Sequence, residues 1–158
     1  MLIKCTVYDS EKDEIFELSA KECDFSYRHS VFSENGNFIC LGATLAPKYA
    51  DEAEIRAKMK EYSEKRRAAQ PLDKPSAGSF FKRPEGHFAA RLIDECGLKG
   101  CRVGGACVSE KHAGFIVNLG GATCADVLAV AEIVSKTVFE STGVELEREV
   151  RLVPREED

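Results

Sequence analysis

The sequence predicts an α+β protein in two parts: a β-rich N-terminal part joined by a helix to a small α+β domain. Three observations predict it. From Leu2 to Leu45, runs of β-forming residues are separated by turn residues. From about Ala50 to Ala69 the chain is dense in Ala, Glu, Lys and Arg, and Pro71 and Pro75 close that stretch. Beyond it the periodicity reads helix, strand, strand, helix, strand.

The elements follow in order. Leu2 to Tyr8 and Glu14 to Leu18 flank the charged turn DSEKD and read as a hairpin. Ser19 and Glu22 have capping-box spacing, which predicts one helical turn. Phe25 to Phe32 reads as a strand or extended segment. Glu34 to Asn37 (ENGN) is a tight-turn signal. The continuous apolar run Phe38 to Leu45 predicts a strand buried on both faces. Ile55, Met59 and Tyr62 recur at helical spacing and give the following helix a thin apolar stripe. The rest is loop-dense, with nine of the twelve glycines lying between Gly78 and Gly121. Phe88 to Cys96 reads as a short helix closed by Gly97. Cys101 to Val108 and Gly114 to Leu119 read as two strands. Thr123 to Glu140 reads as a long helix with Thr123 and Asp126 in its first turn, a stripe of Val127, Val130, Ala131, Val134 and Val138, and Gly143 at its end. Val144 to Val153 reads as a closing strand, along which Glu145, Glu147 and Glu149 share one face.

Composition narrows the function classes. The chain has 158 residues, room for one ordinary domain or a domain plus a piece of another. With 44% hydrophobic and 31% charged residues it reads as a folded globular protein. A net charge of −5 argues against nucleic acid as the main partner. No apolar run approaches the roughly 18 residues of a membrane span. Met1-Leu2-Ile3-Lys4 leads into a strand pattern without a basic leader. The seven cysteines include no CxxC pair, and Cys96, Cys101 and Cys107 lack zinc-ligand spacing. His29, His87 and His112 show no ligand spacing either, so no metal is expected. Reduced thiols in a cytoplasmic protein, mostly small core residues, fit best.

One stretch stands out for chemistry: Pro71 to Pro84, PLDKPSAGSFFKRP. Gly78 frees the backbone for positive φ or close approach to a ligand. Ser79 follows it on a tightly shaped turn, with Phe80 and Phe81 as apolar cover and Lys82 and Arg83 behind. A hydroxyl so held can donate a proton in a dry pocket, and the cations can hold an anion. The plainer reading is a loop anchored in the core by its two phenylalanines. The glutamates of the last strand and Arg28 have the same ambiguity between a solvated face and a site. No GxGxxG or P-loop pattern occurs.

Four segments taken together carry a resemblance: YRHSVF at 27–32, QPLDKPSAGSFFKRPEGHFAARLI at 70–93, GLKGCRVGGACVSEKHAGFIVN at 97–118 and GVELEREVR at 143–151. In this order and spacing they resemble UDP-N-acetylenolpyruvoylglucosamine reductase, in its branch with the shorter substrate domain. The resemblance implies an oxidoreductase of peptidoglycan synthesis, and so of cell-wall biogenesis, cell shape and division. In that family NADPH reduces a bound FAD. Hydride then passes to an enol ether, and the adjacent carbanion is protonated. The resemblance places the proton donor at Ser79 and the groups that steady the enolate at Arg28 and Glu149. It places Lys82, Arg83 and His112 near the UDP portion of the substrate. It also implies that residues 1–47 are the second half of an FAD-binding domain, that 48–70 is a connecting helix, and that 71–158 is the substrate-binding domain. The family's glycine-rich flavin-binding turns have no counterpart in this sequence. The expectation is therefore a truncated reductase, or one that works with the N-terminal flavin-binding half as a partner. The rival expectation is a non-catalytic UDP-sugar-binding module that has lost the flavin domain.

Overall fold

The computed structural model describes residues 1–153; residues 154–158, the end of the expected second domain, lie outside the described residues. The chain divides into two compact units, Met1–Ile55 and Arg56–Asp158.

The first unit is a three-stranded antiparallel sheet in the order β2-β1-β3, with β1 Leu2–Asp9, β2 Glu14–Ser19 and β3 Phe38–Leu45. The β1–β2 hairpin forms as predicted. Its turn is closed by the buried Asp9 carboxylate, which accepts the N–H groups of Glu11 at 3.0 Å and Lys12 at 3.3 Å. The Ser19–Glu22 capping box is present, each side chain accepting the other residue's N–H. Cys5, Val7 and Cys23 form the closed core, with Phe16, Leu18, Phe32 and Phe38 packed around it.

Two expectations fail in this unit. Residues 25–32 do not form a strand: Ser26 and His29 close a tight turn by a reciprocal pair of backbone hydrogen bonds. The one-turn helix α1, Val31–Glu34, begins directly after it on a Ser30–Ser33 capping box. Local side-chain capping outcompetes the β-propensity of an isolated aromatic stretch. β3 forms, but it is not buried on both faces: Ile39, Leu41 and Leu45 are exposed. It is an edge strand of a sheet with one covered face, and its apolar run reflects strand propensity rather than two packed layers.

Helix α2, Glu52–Ala69, begins where Asp51 accepts the N–H groups of Ala53 and Glu54. It buries no residue, and the predicted stripe of Ile55, Met59 and Tyr62 is exposed. At its C-terminal end the Lys111 ammonium donates to the Arg67 carbonyl at 2.5 Å, where a cation suits the helix dipole.

The second unit is two-layered. Strands β4 (Ser76–Ser79), β5 (Arg102–Val103), β6 (Ala106–Val108) and β7 (Phe115–Asn118) form an antiparallel sheet in the order β4-β7-β6-β5. Ala106, Val108 and Ile116 pack with α3 (Ala89–Glu95) and α4 (Cys124–Thr142) through Ile93, Val130, Val134 and Val138. The alternate residues Cys107, Phe115 and Val117 cluster on the other face. Burial pushes the Cys107 thiol above its ordinary range, as befits a core cysteine. The span 101–108, expected as one strand, is a tight β5–β6 hairpin turning at Gly104-Gly105. A Cβ on Gly105 would lie 2.5 Å from both the Gly120 carbonyl and the Ala122 nitrogen, so only glycine fits there.

Helix α4 is built as its sequence prescribes. Thr123 and Asp126 form a reciprocal capping box, and Gly143 ends the helix with φ of 72°. Hydrogen bonds from Thr123, joined by one from Gly105, hold the Asp126 carboxyl below the usual range. The closing segment 144–153 is not a strand. It touches the sheet through a single bridge, Arg148 to Phe81, while Leu146 is buried.

Candidate active site

β4 is short, unlike a normal strand in composition, and irregular. Ser76 pairs with Val117 and Ser79 with Phe115, with a register shift between them, and Gly78 takes φ of +83° inside the irregularity. Such a bulge re-aims the residue that follows it. Ser79 is exposed, and the next two side chains, Phe80 and Phe81, are buried and packed edge to face at 5.2 Å. The two rings pin the backbone that carries the serine.

That backbone has partners on both sides. The Phe80 N–H donates to Gly114 at 2.9 Å, and the Phe80 carbonyl accepts the Glu149 N–H at 2.9 Å. One residue on, Phe81 bridges Arg148, and the Lys82 N–H donates to the Glu147 carbonyl at 2.8 Å. Ser79 and Glu149 thus stand on neighbouring backbones, although the sequence separates them widely. Glu149 is half-buried where composition alone suggests a solvated face. The Lys82 ammonium pairs with the Glu147 carboxylate across the same bridge. The Arg83 guanidinium lies 4.0 Å from the centre of the Phe88 ring, and its Nε donates to the His87 carbonyl at 3.3 Å.

His112 is set from the other side. Its Nδ1 accepts the Gly114 N–H at 3.1 Å, and its ring meets Phe115 edge-on at 4.9 Å. The neutral ring therefore carries its hydrogen on Nε2. Gly114 is the residue whose carbonyl holds Phe80, and Phe115 is the partner of Ser79, so His112 is fixed to the same strand pair. The buried Ser109 hydroxyl accepts the N–H groups of Lys111 and His112 and shapes the turn before it. Sequence reasoning passed over Ser109, and it had Glu147 only as one of three glutamates on a shared face. The SEKH spacing of the first is a turn signal; the second announces itself only through Lys82. A cavity of about 410 Å³ opens on the Cys107–Val117 side, rimmed by Lys74, Arg102 and Lys111. Ser79, Glu149, Lys82, Arg83 and His112 do not line it.

Arg28 belongs to the first unit. It occupies the tight turn between Ser26 and His29 with φ of 58°, its guanidinium 5.0 Å from the Tyr27 ring centre. A non-glycine residue in this left-handed region is uncommon and marks a position worth a functional reading. Its neighbour His29 is held by Asp24 at 3.0 Å and Glu34 at 3.5 Å. No group of His, Cys, Asp or Glu among the described residues is arranged to hold a metal ion. No helix among them is long and apolar enough to cross a membrane.

Residues 70–153 match the family described as UDP-N-acetylenolpyruvoylglucosamine reductase, C-terminal domain, more than half of the chain. The chain belongs to this family. The curated reductase of Clostridium novyi is 48% identical over 153 residues, covering 97% of this chain and 49% of that protein. The reductase of Limosilactobacillus reuteri is 50% identical over 143 residues, covering 90% of this chain and 48% of that one. The crystal structure of UDP-N-acetylenolpyruvylglucosamine reductase from Thermus caldophilus superposes with a TM-score of 0.78 at 38% identity, covering 94% of this chain and 52% of that one. The chain thus spans about half the length of the reductases it matches. The family match takes in β4 with Ser79, the turn with His112 and the segment with Glu149, and the relatives extend the likeness back through the first unit.

Proposed function

We propose that this chain is the substrate-binding and proton-donating portion of a cytoplasmic UDP-N-acetylenolpyruvoylglucosamine reductase of peptidoglycan synthesis. The observation that supports it most is the Phe80–Glu149 hydrogen bond, which pairs the backbone of Glu149 with that of the residue following Ser79. In this reading residues 1–47 are the second half of an FAD-binding domain, 48–70 a connecting helix and 71–158 the substrate-binding domain. Lys82, Arg83 and His112 take the UDP portion of the substrate. Ser79 gives its hydroxyl proton to the carbon next to the substrate carboxylate, and solvent restores that proton afterwards. Arg28 and Glu149 steady the charge that gathers on the carboxylate as the carbanion forms. Groups placed in advance for that charge act mostly in the transition state. A serine hydroxyl is a sufficient acid only for so basic a carbon in a site that excludes water.

NADPH would be the reductant of that reaction and FAD the hydride carrier, and the described residues of the first unit do not fit the flavin by themselves. Its glycines, Gly36 and Gly42, have no positive φ and stand in no glycine-rich turn. A pyrophosphate needs converging backbone N–H groups. The flavin half of the chemistry is therefore assigned to the part of the reductases that this chain does not span. The same observation favours a second reading, a UDP-sugar-binding module without catalysis.

Calorimetry with the enolpyruvyl UDP-sugar tests the binding role. The chain is expected to bind weakly, and Arg83→Ala to bind more weakly still, by loss of a charge-assisted phosphate contact. Identical affinities for the two would remove Arg83 from the site. The purified chain is expected to be colourless, and a stoichiometric flavin spectrum would overturn the assignment of the flavin to another segment. Turnover on addition of a flavin-binding half separates the reductase from the binding module.

A further inference from the structure

Phe88 is an aromatic residue of the second unit that has no role in the reading above. Its ring is 56% exposed and is not among the side chains of the packed cluster that holds Phe80 and Phe81. Its backbone is nevertheless fixed. The Phe88 carbonyl accepts the N–H groups of Arg91 at 3.0 Å and Leu92 at 3.1 Å. It thereby starts α3, which the buried Ala89, Leu92 and Ile93 anchor. Before it lies a turn in which the His87 N–H donates to the Pro84 carbonyl at 3.1 Å and Gly86 takes φ of 71°. The turn folds the chain back so that residue 88 meets residue 83. Arg83 is exposed, yet this turn holds its guanidinium from two sides. Nε donates to the His87 carbonyl at 3.3 Å, and Cζ stands 4.0 Å from the centre of the Phe88 ring.

We propose that Phe88 is a positioning residue for Arg83: its ring holds the guanidinium in the orientation that receives the phosphates of the UDP portion. The proposal rests on the reading of Arg83 as a contact to that portion. A long arginine side chain on a surface samples many rotamers, and a ligand that binds it has to stop that motion. Contact with a ring face removes part of the motion in advance. The hydrogen bond to His87 uses Nε, so the end that carries Nη1 and Nη2 is the fork a phosphate grips. The neighbouring cation is held by other means. The Lys82 ammonium pairs with the Glu147 carboxylate, a partner that competes with an incoming phosphate for the same charge. A ring face orients a cation without competing in that way. The role asks for an aromatic side chain at position 88: tyrosine serves it, and an aliphatic side chain does not.

The test is heteronuclear NMR of the full chain and its Phe88→Leu and Phe88→Tyr variants, read at the Arg83 Nε–H signal and by titration with UDP. The signal is assigned by its loss in Arg83→Ala. Phe88→Leu alters an exposed side chain and should keep the native circular dichroism. The expected result is a ring-shifted Arg83 signal in the wild type and in Phe88→Tyr, and its return to the ordinary arginine position in Phe88→Leu. UDP affinity should fall about two- to fivefold in Phe88→Leu, the usual scale of an exposed cation–π contact, and recover in Phe88→Tyr. Combined with Arg83→Ala, Phe88→Leu should have no further effect. An Arg83 signal unmoved by Phe88→Leu, or a loss of affinity of the same size with and without Arg83, would overturn the proposal. Affinity lowered by Arg83→Ala but untouched by Phe88→Leu would overturn it alone and leave Arg83 in the UDP site. Affinity untouched by Arg83→Ala would take Arg83 out of that site, and the proposal with it.

Discussion

The two units solve the problem of covering a sheet differently. In the second, α3 and α4 lie on the sheet, and among the described residues fourteen buried side chains form one continuous core. In the first, a closed core of Cys5, Val7 and Cys23 sits under a single face, and Ile15, Ile39, Leu41 and Leu45 remain exposed. Three strands with one thinly covered face are close to the minimum for independent stability. A sheet backed by two helices is a complete two-layer domain. The well-built unit also carries five of the six residues read as functional, and the thin one carries Arg28 on a strained turn. Precision of placement goes with packing: Ser79 is held from the core, Arg28 by a local turn.

The strongest way to break that division is Ser79→Ala in a chain supplied with the flavin-binding half. Flavin reduction by NADPH should persist, while the second half-reaction falls by about a hundredfold to ten-thousandfold, the usual contribution of a general acid. Equal loss in both half-reactions, followed by stopped flow, would make Ser79 a structural residue. Next comes the packing itself. Ile93→Ala should cost about 2–5 kcal/mol in the transition of the second unit. Val7→Ala, which removes two methyl-sized groups, should cost about 1–2 kcal/mol in an earlier transition of the first unit. Urea unfolding followed by hydrogen exchange separates the two; a single transition moved equally by both variants would erase the distinction between the units. A smaller effect belongs to the helix cap, where Thr123→Ala should cost about 1 kcal/mol in thermal or urea unfolding. The smallest is a pH effect. Asp126 titrates lower folded than unfolded, so its contribution is full above the usual carboxylate range and fades as pH falls through its folded value. Asp126→Asn should flatten the acid limb of the stability profile there, and an unchanged limb would mean the cap is indifferent to charge.

Helix α4 was legible because every level agreed: cap, stripe and terminal glycine all mark the same span. The β1–β2 hairpin was legible for the same reason. β4 was not, because Ser-Ala-Gly-Ser has no β-forming residue; its strand character comes from β7 on one side and the bridge at Phe81 on the other. Residues 144–153 misled in the opposite direction. Their alternation is that of a strand, yet Phe81 and its neighbours offer room for one bridge only, since the chain turns away at Arg83-Pro84. The apolar run of β3 looked like a buried strand because composition does not say how many layers will cover it. For the site, Ser79 and its cations were visible as a motif, and the resemblance pointed to Glu149. What no local pattern contained was the hydrogen bond from the Glu149 N–H to the Phe80 carbonyl, one residue from Ser79, because it depends on pairing between distant segments.

The two rings behind Ser79 have one more consequence. Phe80 and Phe81 belong to the same packed cluster as Val134, Val138 and Leu146. The serine therefore has no independent mount: its height above the surface is set by how the interior fills. A core that loosens with heat, or that gains or loses a methylene, changes the reach of the hydroxyl before the domain unfolds. Variants selected for activity at a shifted temperature should thus accumulate at interior aliphatic positions that never meet the substrate.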